Sequence, residues 1–453
     1  MKKELTRFAG AMLAGAFCML VLASSALAQE FRGTVTGTVT DPNGAVVPNA
    51  TVIIKNNDTG VAVTLKTNDD GVYNLPTLSP GTYAISASLS GFKTSTRQSV
   101  QLRVDDHLTI DFKLEIGNTA EVTVVTNDEM LERGSVTTGI LISSRQVQEL
   151  PLPEGAVFTL ALQSPGVVYT GDPNFQGPTS NGNLAGFRTD GAAGNVINLD
   201  GSPDLGSSAA VAFTPPADAV QEFKVNTNSF DAQNGYTAGS TVNVALKSGA
   251  NAMHGAAYYF NRDKSRTANN FFNNRQGRPR PERKYFRWGF TLDGPVMFPK
   301  LYNGKNKTFW LFSMEKQNDN VAQPTTFFVP TALERTGDFS EIASTTTIYN
   351  PYQAFTGGAC PSGNVCRPAF ANNIITPGLI KSYALKYLAL YPLPNLPVVN
   401  GIGQYVSDMN LHRPYQSYLG KIDHNFNSNN KIFGKYYYSK SREDRYNWIG
   451  GDG

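Results

Sequence analysis

The sequence predicts a mainly β protein: an N-terminal Ig-like or transthyretin-like β-sandwich, a small α/β domain, and then the first strands of a transmembrane β-barrel. Three observations lead there. An export signal opens the chain, short β-branched runs separated by turn residues follow it, and beyond residue 253 aromatic and polar residues alternate with a period of two.

Lys2, Lys3 and Arg7 precede an apolar run over residues 8–23, and Ala26, Leu27 and Ala28 supply the small residues that a signal peptidase reads. Residues 1–28 are therefore expected to be a signal peptide, cut between Ala28 and Gln29. Its loss removes Cys18 and lowers the formal charge from +3 to +1, which gives no reason to expect a nucleic-acid partner. No later stretch approaches the roughly 18 consecutive apolar residues of a transmembrane helix, so membrane insertion has to use strands.

Residues 29–115 carry short strand patterns at 34–40, 50–55, 63–67 and 82–88. Turn signals separate them at Asp41-Pro42-Asn43-Gly44, Asn68-Asp69-Asp70-Gly71 and Ser79-Pro80-Gly81. Strands this short at this spacing make a sandwich. The order of Gly37-Thr38-Val39-Thr40-Asp41-Pro42-Asn43-Gly44, Gly71-Val72-Tyr73, Pro80-Gly81-Thr82-Tyr83 and Ser90-Gly91-Phe92-Lys93 resembles the carboxypeptidase regulatory-like domain. Relatives of that domain are described as carbohydrate-binding by fold. Such an analogy does not establish a ligand, and no aromatic platform for stacking sugar rings is evident, so a structural role is expected.

Residues 116–250 mix short helical and strand patterns. Residues 158–162 read as a short helix ended by Pro165-Gly166, 196–201 as a strand running into a turn, and Thr214-Pro215-Pro216 as the start of a helical turn; 223–227 and 241–247 read as strands. The succession Leu162-Gln163-Ser164-Pro165-Gly166-Val167, Phe187-Arg188-Thr189-Asp190-Gly191, Asn198-Leu199-Asp200-Gly201 and Ala219-Val220-Gln221-Glu222-Phe223-Lys224-Val225 resembles the plug domain of TonB-dependent outer-membrane transporters. The resemblance implies that Arg188, Asp190, Asn198 and Asp200 are polar plug residues along a solute path. Ahead of them, Glu121, Val122, Thr123, Val124, Val125 and Thr126 resemble the segment by which such transporters hand a strand to TonB, an inner-membrane-anchored partner. The same residues also read as the last strand of the sandwich.

Residues 251–453 repeat amphipathic strand and loop. In the clearest strand Phe286, Trp288, Phe290 and Leu292 share one face, and Arg287, Gly289 and Thr291 the other. Five strands are expected at 254–260, 285–293, 308–315, 418–426 and 431–439. The third connection is long and the fourth short, and such alternation is the asymmetry of an outer-membrane barrel. Tyr258-Tyr259-Phe260-Asn261-Arg262, Leu292-Asp293-Gly294-Pro295-Val296 and Lys421-Ile422-Asp423-His424-Asn425-Phe426 further resemble the barrel start of the Oar-like branch of that family. Transporters of that kind have 22 strands. These need more than about 200 residues before loops are counted, so the barrel is expected to be incomplete within these residues.

Covalent chemistry has little support. His107, His254, His412 and His424 lie in no zinc-protease pattern, and no phosphate-loop signature is present. Asp423 and His424, adjacent on a strand, should point to opposite faces and serve as barrel wall. Cys360 and Cys366 are expected to form a local disulfide in an oxidising compartment. No catalytic residue, cofactor or metal site is expected. The resulting expectation is an outer-membrane transporter whose partners are outer-membrane lipid, a TonB-type protein and an unidentified solute, with a carbohydrate-related one suggested by the fold analogy of the sandwich. A secreted adhesive β-protein and a periplasmic carbohydrate-binding module are the alternatives.

Overall fold

The computed structural model describes residues 32–118, 122–125, 138–150, 152–170, 187–206, 211–228, 238–269, 271–275, 277, 279–356, 358–362, 364–427 and 430–445. The expected signal peptide with Ala28 and Gln29, as well as Glu121 and Thr126, lies outside them. The fold is mainly β, and it divides into two compact units. The first comprises residues 1–259, 288–316 and 415–441; the second comprises 260–287, 317–414 and 442–453.

The first unit begins with a two-sheet sandwich. Its strands are β1 (Gly33–Thr40), β2 (Thr51–Asn56), β3 (Ala62–Lys66), β4 (Val72–Leu78), β5 (Gly81–Ser88), β6 (Thr94–Leu102), β7 (His107–Thr109), β8 (Phe112–Lys113) and β9 (Val122–Val125). One sheet runs β4-β1-β7 with β8 also on β1, and the other β3-β2-β5-β6-β9. In β1 the threonines Thr34, Thr36, Thr38 and Thr40 are half-buried while Gly33, Val35, Gly37 and Val39 are buried, as a period of two dictates. Val35, Val52, Ile54, Tyr73, Ile85, Leu102 and Phe112 meet in the core between the sheets. The turns close on side chains. Asp41 Oδ1 accepts from Asn43 N and Ala45 N, and Asn68 Oδ1 from Asp70 N and Val72 N.

Strands β4 and β6 depart from the sequence reading. β4 contains Pro76 and β6 is mostly Ser, Thr, Gln and Arg, so neither shows the apolar alternation that marks a half-buried strand. Backbone pairing with β1 and β5 holds them, together with the few apolar residues each buries, Tyr73 and Leu78 in β4 and Val100 and Leu102 in β6.

A second sheet follows: β10 (Thr138–Ser143), β13 (Val196–Leu199), β14 (Ser202–Pro203), β15 (Val220–Asn228) and β16 (Thr241–Leu246), in the order β10-β15-β16-β13-β14. β11 (Val167–Tyr169) and β12 (Phe187–Thr189) form a separate ladder. Helix α1 (Ser144–Glu149) starts at a capping box: Ser143 N donates to Gln146 Oε1, and Gln146 N to Ser143 Oγ. Phe158, Ile197, Phe223, Val225 and Val244 fill the core beside this sheet, and Leu311 and Leu419, from later strands, complete it.

Those later strands are β17 (His254–Asp263), β18 (Arg283–Pro295), β21 (Thr308–Phe328), β22 (Gln404–Asn425) and β23 (Lys431–Ser441), hydrogen-bonded in that order. The small ladder of β19 (Met297–Phe298) and β20 (Tyr302–Asn303) lies between β18 and β21, and β24 (Asp444–Arg445) pairs with β22. Tyr285, Arg287, Gly289 and Thr291 on β18 are buried while Phe286, Trp288 and Phe290 are less so. Across strands, Phe290 meets Phe312 at 5.8 Å and Tyr418 meets Tyr438 at 6.4 Å on the more exposed face. On the buried face Thr291 Oγ1 and Ser313 Oγ share a hydrogen bond of 2.8 Å. Apolar and aromatic outside with polar inside is the alternation of a transmembrane barrel wall.

β21 and β22 run 21 and 22 residues, far beyond the expected 308–315 and 418–426. The aromatic alternation marks only part of each strand, whereas backbone pairing continues beyond it through polar residues. Pro414 lies within β22. It sits where the ladder to β23 ends at Tyr415↔Ser441, and that to β24 resumes at Leu411↔Arg445, so its missing N–H interrupts neither of these two ladders.

The second unit holds the long connection 329–403. Arg335 binds two separate stretches of it: Nη1 donates to Leu388 O at the end of helix α3 (Ser382–Ala389) and Nη2 to Tyr391 O just beyond, while Nε donates to Pro330 O. Helix α2 (Phe271–Arg275) lies in the other connection of this unit. Arg283 forks onto the buried Asp319, Nε to Oδ1 at 3.0 Å and Nη2 to Oδ2 at 2.9 Å. Cys360 and Cys366 are joined by a disulfide. Closing so small a loop contributes only about 2 kcal/mol in the chain-entropy account. Reduction of the exported protein is therefore expected to add two alkylation sites and leave the unfolding of the remainder unchanged. Two alkylated thiols in native, unreduced material would contradict the pairing.

Candidate functional site

Where the second sheet faces the wall strands, the chain buries charges. The β13 strand ends at Asp200, whose backbone takes the left-handed region at φ 44 and turns its carboxylate back under the sheet. Asp200 Oδ1 accepts from Leu246 N at 2.9 Å, and Oδ2 lies 3.0 Å from the ammonium of Lys421 on β22. Both residues are almost wholly buried. Asp423, two residues along the same face of β22, stands 4.0 Å from the Lys421 Nζ. On the neighbouring strand Lys435 donates to Leu199 O.

Next to this pair, Asn198 Nδ2 donates to Asn243 Oδ1 at 2.9 Å across the parallel β13–β16 ladder. Asp204 is also buried. Burial pushes its carboxyl up to about 7, against the lowering effects of a hydrogen bond from Phe213 N and the charge of Lys435. Phe213 stacks on Tyr437 of β23 at 4.6 Å, and Tyr415 OH donates to Thr214 O. Apolar stacking, backbone hydrogen bonds and a buried ion pair thus join the second sheet to the wall.

Of the four polar residues singled out in the sequence, Asp200 makes this contact and Asn198 lies beside it within the sheet. Arg188 and Asp190 sit on the separate β11–β12 ladder, half-buried and exposed respectively. Lys421, Lys435 and Asp204 were not singled out. Their signal was the period of two, which places Lys421 on the buried face with Leu419, and Lys435 with Tyr437. His424, beside Asp423, turns instead to Thr308, with Nδ1 and Oγ1 2.6 Å apart. Val122–Val125 of the other candidate segment pairs in parallel with β6, from Thr94↔Val122 to Arg97↔Val125, and forms the last strand of the five-stranded sandwich sheet.

Residues 245–452 match the family described as outer membrane beta barrel domain, and residues 34–115 the carboxypeptidase regulatory-like domain. Over 255 residues the chain is 26% identical to the TonB-dependent transporter Oar of Myxococcus xanthus. The alignment takes in 53% of this chain and 22% of the Oar sequence, so this chain spans about a fifth of that relative. Among solved structures, the ferric enterobactin receptor of Pseudomonas aeruginosa aligns with 67% of this chain and 33% of its own chain, at 14% identity and a TM-score of 0.33. An outer membrane transporter from Escherichia coli aligns with 63% and 30%, at 10% identity and a TM-score of 0.32. The chain is accordingly assigned to the outer membrane, as a mainly β protein whose N-terminal domain matches the carboxypeptidase regulatory-like family and whose later strands match an outer-membrane β-barrel family.

Proposed function

We propose that the protein acts in energy-coupled uptake across the outer membrane: residues 116–250 plug the barrel, and a TonB-type protein loosens them to admit a solute. The observation that carries this reading is the Asp200–Lys421 pair, which fastens a separately folded sheet to the polar face of the barrel wall. A closure held by a few buried polar contacts can be displaced by a directed pull, and transport of this kind needs no covalent chemistry. The solute is unidentified, and a carbohydrate rests on the fold analogy of the sandwich alone. Arg188, Asp190, Asn198 and Asp200 are the plug residues proposed to border its path.

The coupling segment is proposed to be 121–126, whose β9 core ends a sheet and so offers an edge for strand addition. Strand addition draws on backbone hydrogen bonds. Val124→Pro should weaken binding of a purified TonB-type periplasmic domain to the full chain at least about tenfold, while Val124→Thr should leave it nearly unchanged. The comparison is the melting of residues 29–126 carrying the proline. Loss of its stability with TonB binding intact would reduce 121–126 to a closing strand of the sandwich.

A further inference from the structure

β15 is covered on both faces, although six of its nine residues are polar. Phe223 and Val225 enter the core, whereas Glu222, Lys224 and Asn226, at alternate positions on the other face, all meet one turn of the sandwich, residues 103–106. Val104 N donates to Glu222 Oε1 at 2.6 Å. Lys224 Nζ donates to Asp105 O at 3.1 Å and lies 3.7 Å from Asp106 Oδ1. Asn226 Nδ2 donates to Asp105 Oδ2 at 3.0 Å. Val104 and Ala245 pack against each other, 0% and 1% exposed, as a small apolar centre to this contact. A little further along, Gln221 Nε2 donates to Pro80 O of the sandwich.

The sandwich has a second anchor. The β2–β3 turn meets Asn251, whose N donates to Asp58 O at 3.1 Å and whose Nδ2 donates to Thr59 O at 2.7 Å. Asn251 Oδ1 accepts from Asn306 N, in the turn that leads into wall strand β21. Gly60, at φ +69, lets this turn come close, since a Cβ there would fall 2.3 Å from Asn306 Oδ1.

We propose that the sandwich is a lock on the plug: its 103–106 turn holds β15 while its 58–60 turn holds the barrel at Asn251 and Asn306, so the plug sheet stays in place until the first turn lets go. The observations favour a specific dock over incidental contact. Lys224, Asn226 and Asp106 are 7%, 0% and 8% exposed, and buried polar groups of this kind are costly unless paired in one register. The consequence for transport rests on the uptake reading above. The lock itself does not, because it concerns only which turn holds which strand.

The test uses the full chain in detergent. Val104→Cys with Ala245→Cys joins the two packed positions, and hydrogen exchange of β15 and β16 is read before and after reduction. A disulfide should form in the folded protein, and its formation should slow exchange across Phe223, Lys224, Val225 and Asn226 about tenfold. In a second variant Asp105→Gly suits the left-handed backbone at φ 59 but removes the carboxylate. It should speed exchange of the same amides severalfold and leave those of β2 and β5 unchanged. Failure of the cysteines to join in folded protein, or exchange of β15 indifferent to the cross-link and to Asp105→Gly, would overturn the proposal. Neither outcome depends on whether a solute is transported.

Discussion

Lys421→Met should destabilise the first unit by about 3–5 kcal/mol, because it leaves the Asp200 carboxylate buried without the cation that lies 3.0 Å from it. The Lys421 and Asp200 side chains are 4% and 0% exposed, and their atoms are 3.0 Å apart. The contrast is the Arg145–Glu149 pair on α1, at 2.9 Å but 82% and 62% exposed, which as a helical i,i+4 pair is worth about 0.3–0.5 kcal/mol. Separation is the same, so burial decides the magnitude. Since removal of one buried partner is worse than removal of both, Asp200→Asn in the Lys421→Met background should recover most of the loss; the asparagine Oδ1 can still accept from Leu246 N. Urea unfolding in detergent, followed by circular dichroism, measures all three variants. A single variant as stable as the parent, or a double variant no better than the single, would show that the ion pair does not hold this contact.

What the sequence made legible followed from local periodicity. Thr34 to Thr40 alternates so regularly that the buried face of β1 could be read directly, as could the lipid-side and inner faces around Phe290. Asp41 and Asn68 announced their turns because a short polar side chain next to glycine can bind its own backbone. The ends of β21 and β22 were not legible, since strand pairing through Gln317 and Asp319 leaves no apolar signature. Nor was the partner of any charge. Lys224 on a strand reads as solvent-facing, and only the long-range fold brings the 103–106 turn over it; Lys421 likewise gives no sign of Asp200 until β13 and β22 are brought together.

Glu222 gives the contact between the sandwich and the second sheet a pH dependence. Burial first of all raises its carboxyl from 4.5 to about 7; the Val104 N hydrogen bond opposes this, Asp106 adds to it, and Arg103 and Lys224 oppose it. The folded chain therefore holds this proton more tightly than the unfolded one. Its stabilising effect is complete below pH 4.5, diminishes as the pH rises toward 7, and is absent above that. At about 1.36 kcal/mol per pH unit the whole span is worth at most about 3 kcal/mol. Glu222→Gln keeps an oxygen to accept from Val104 N but carries no charge at any pH. At pH 8 it should raise the stability of the chain by about 1–3 kcal/mol, the range allowing for partial solvent screening of a half-buried group. At pH 4 the two proteins should be nearly equal, because glutamic acid and glutamine are then both neutral. Unfolding curves of both proteins from pH 4 to pH 8 test this. If the glutamine variant is the weaker at pH 8, the carboxylate is favourable there as an ion, held by Lys224 and Arg103, and the burial argument fails.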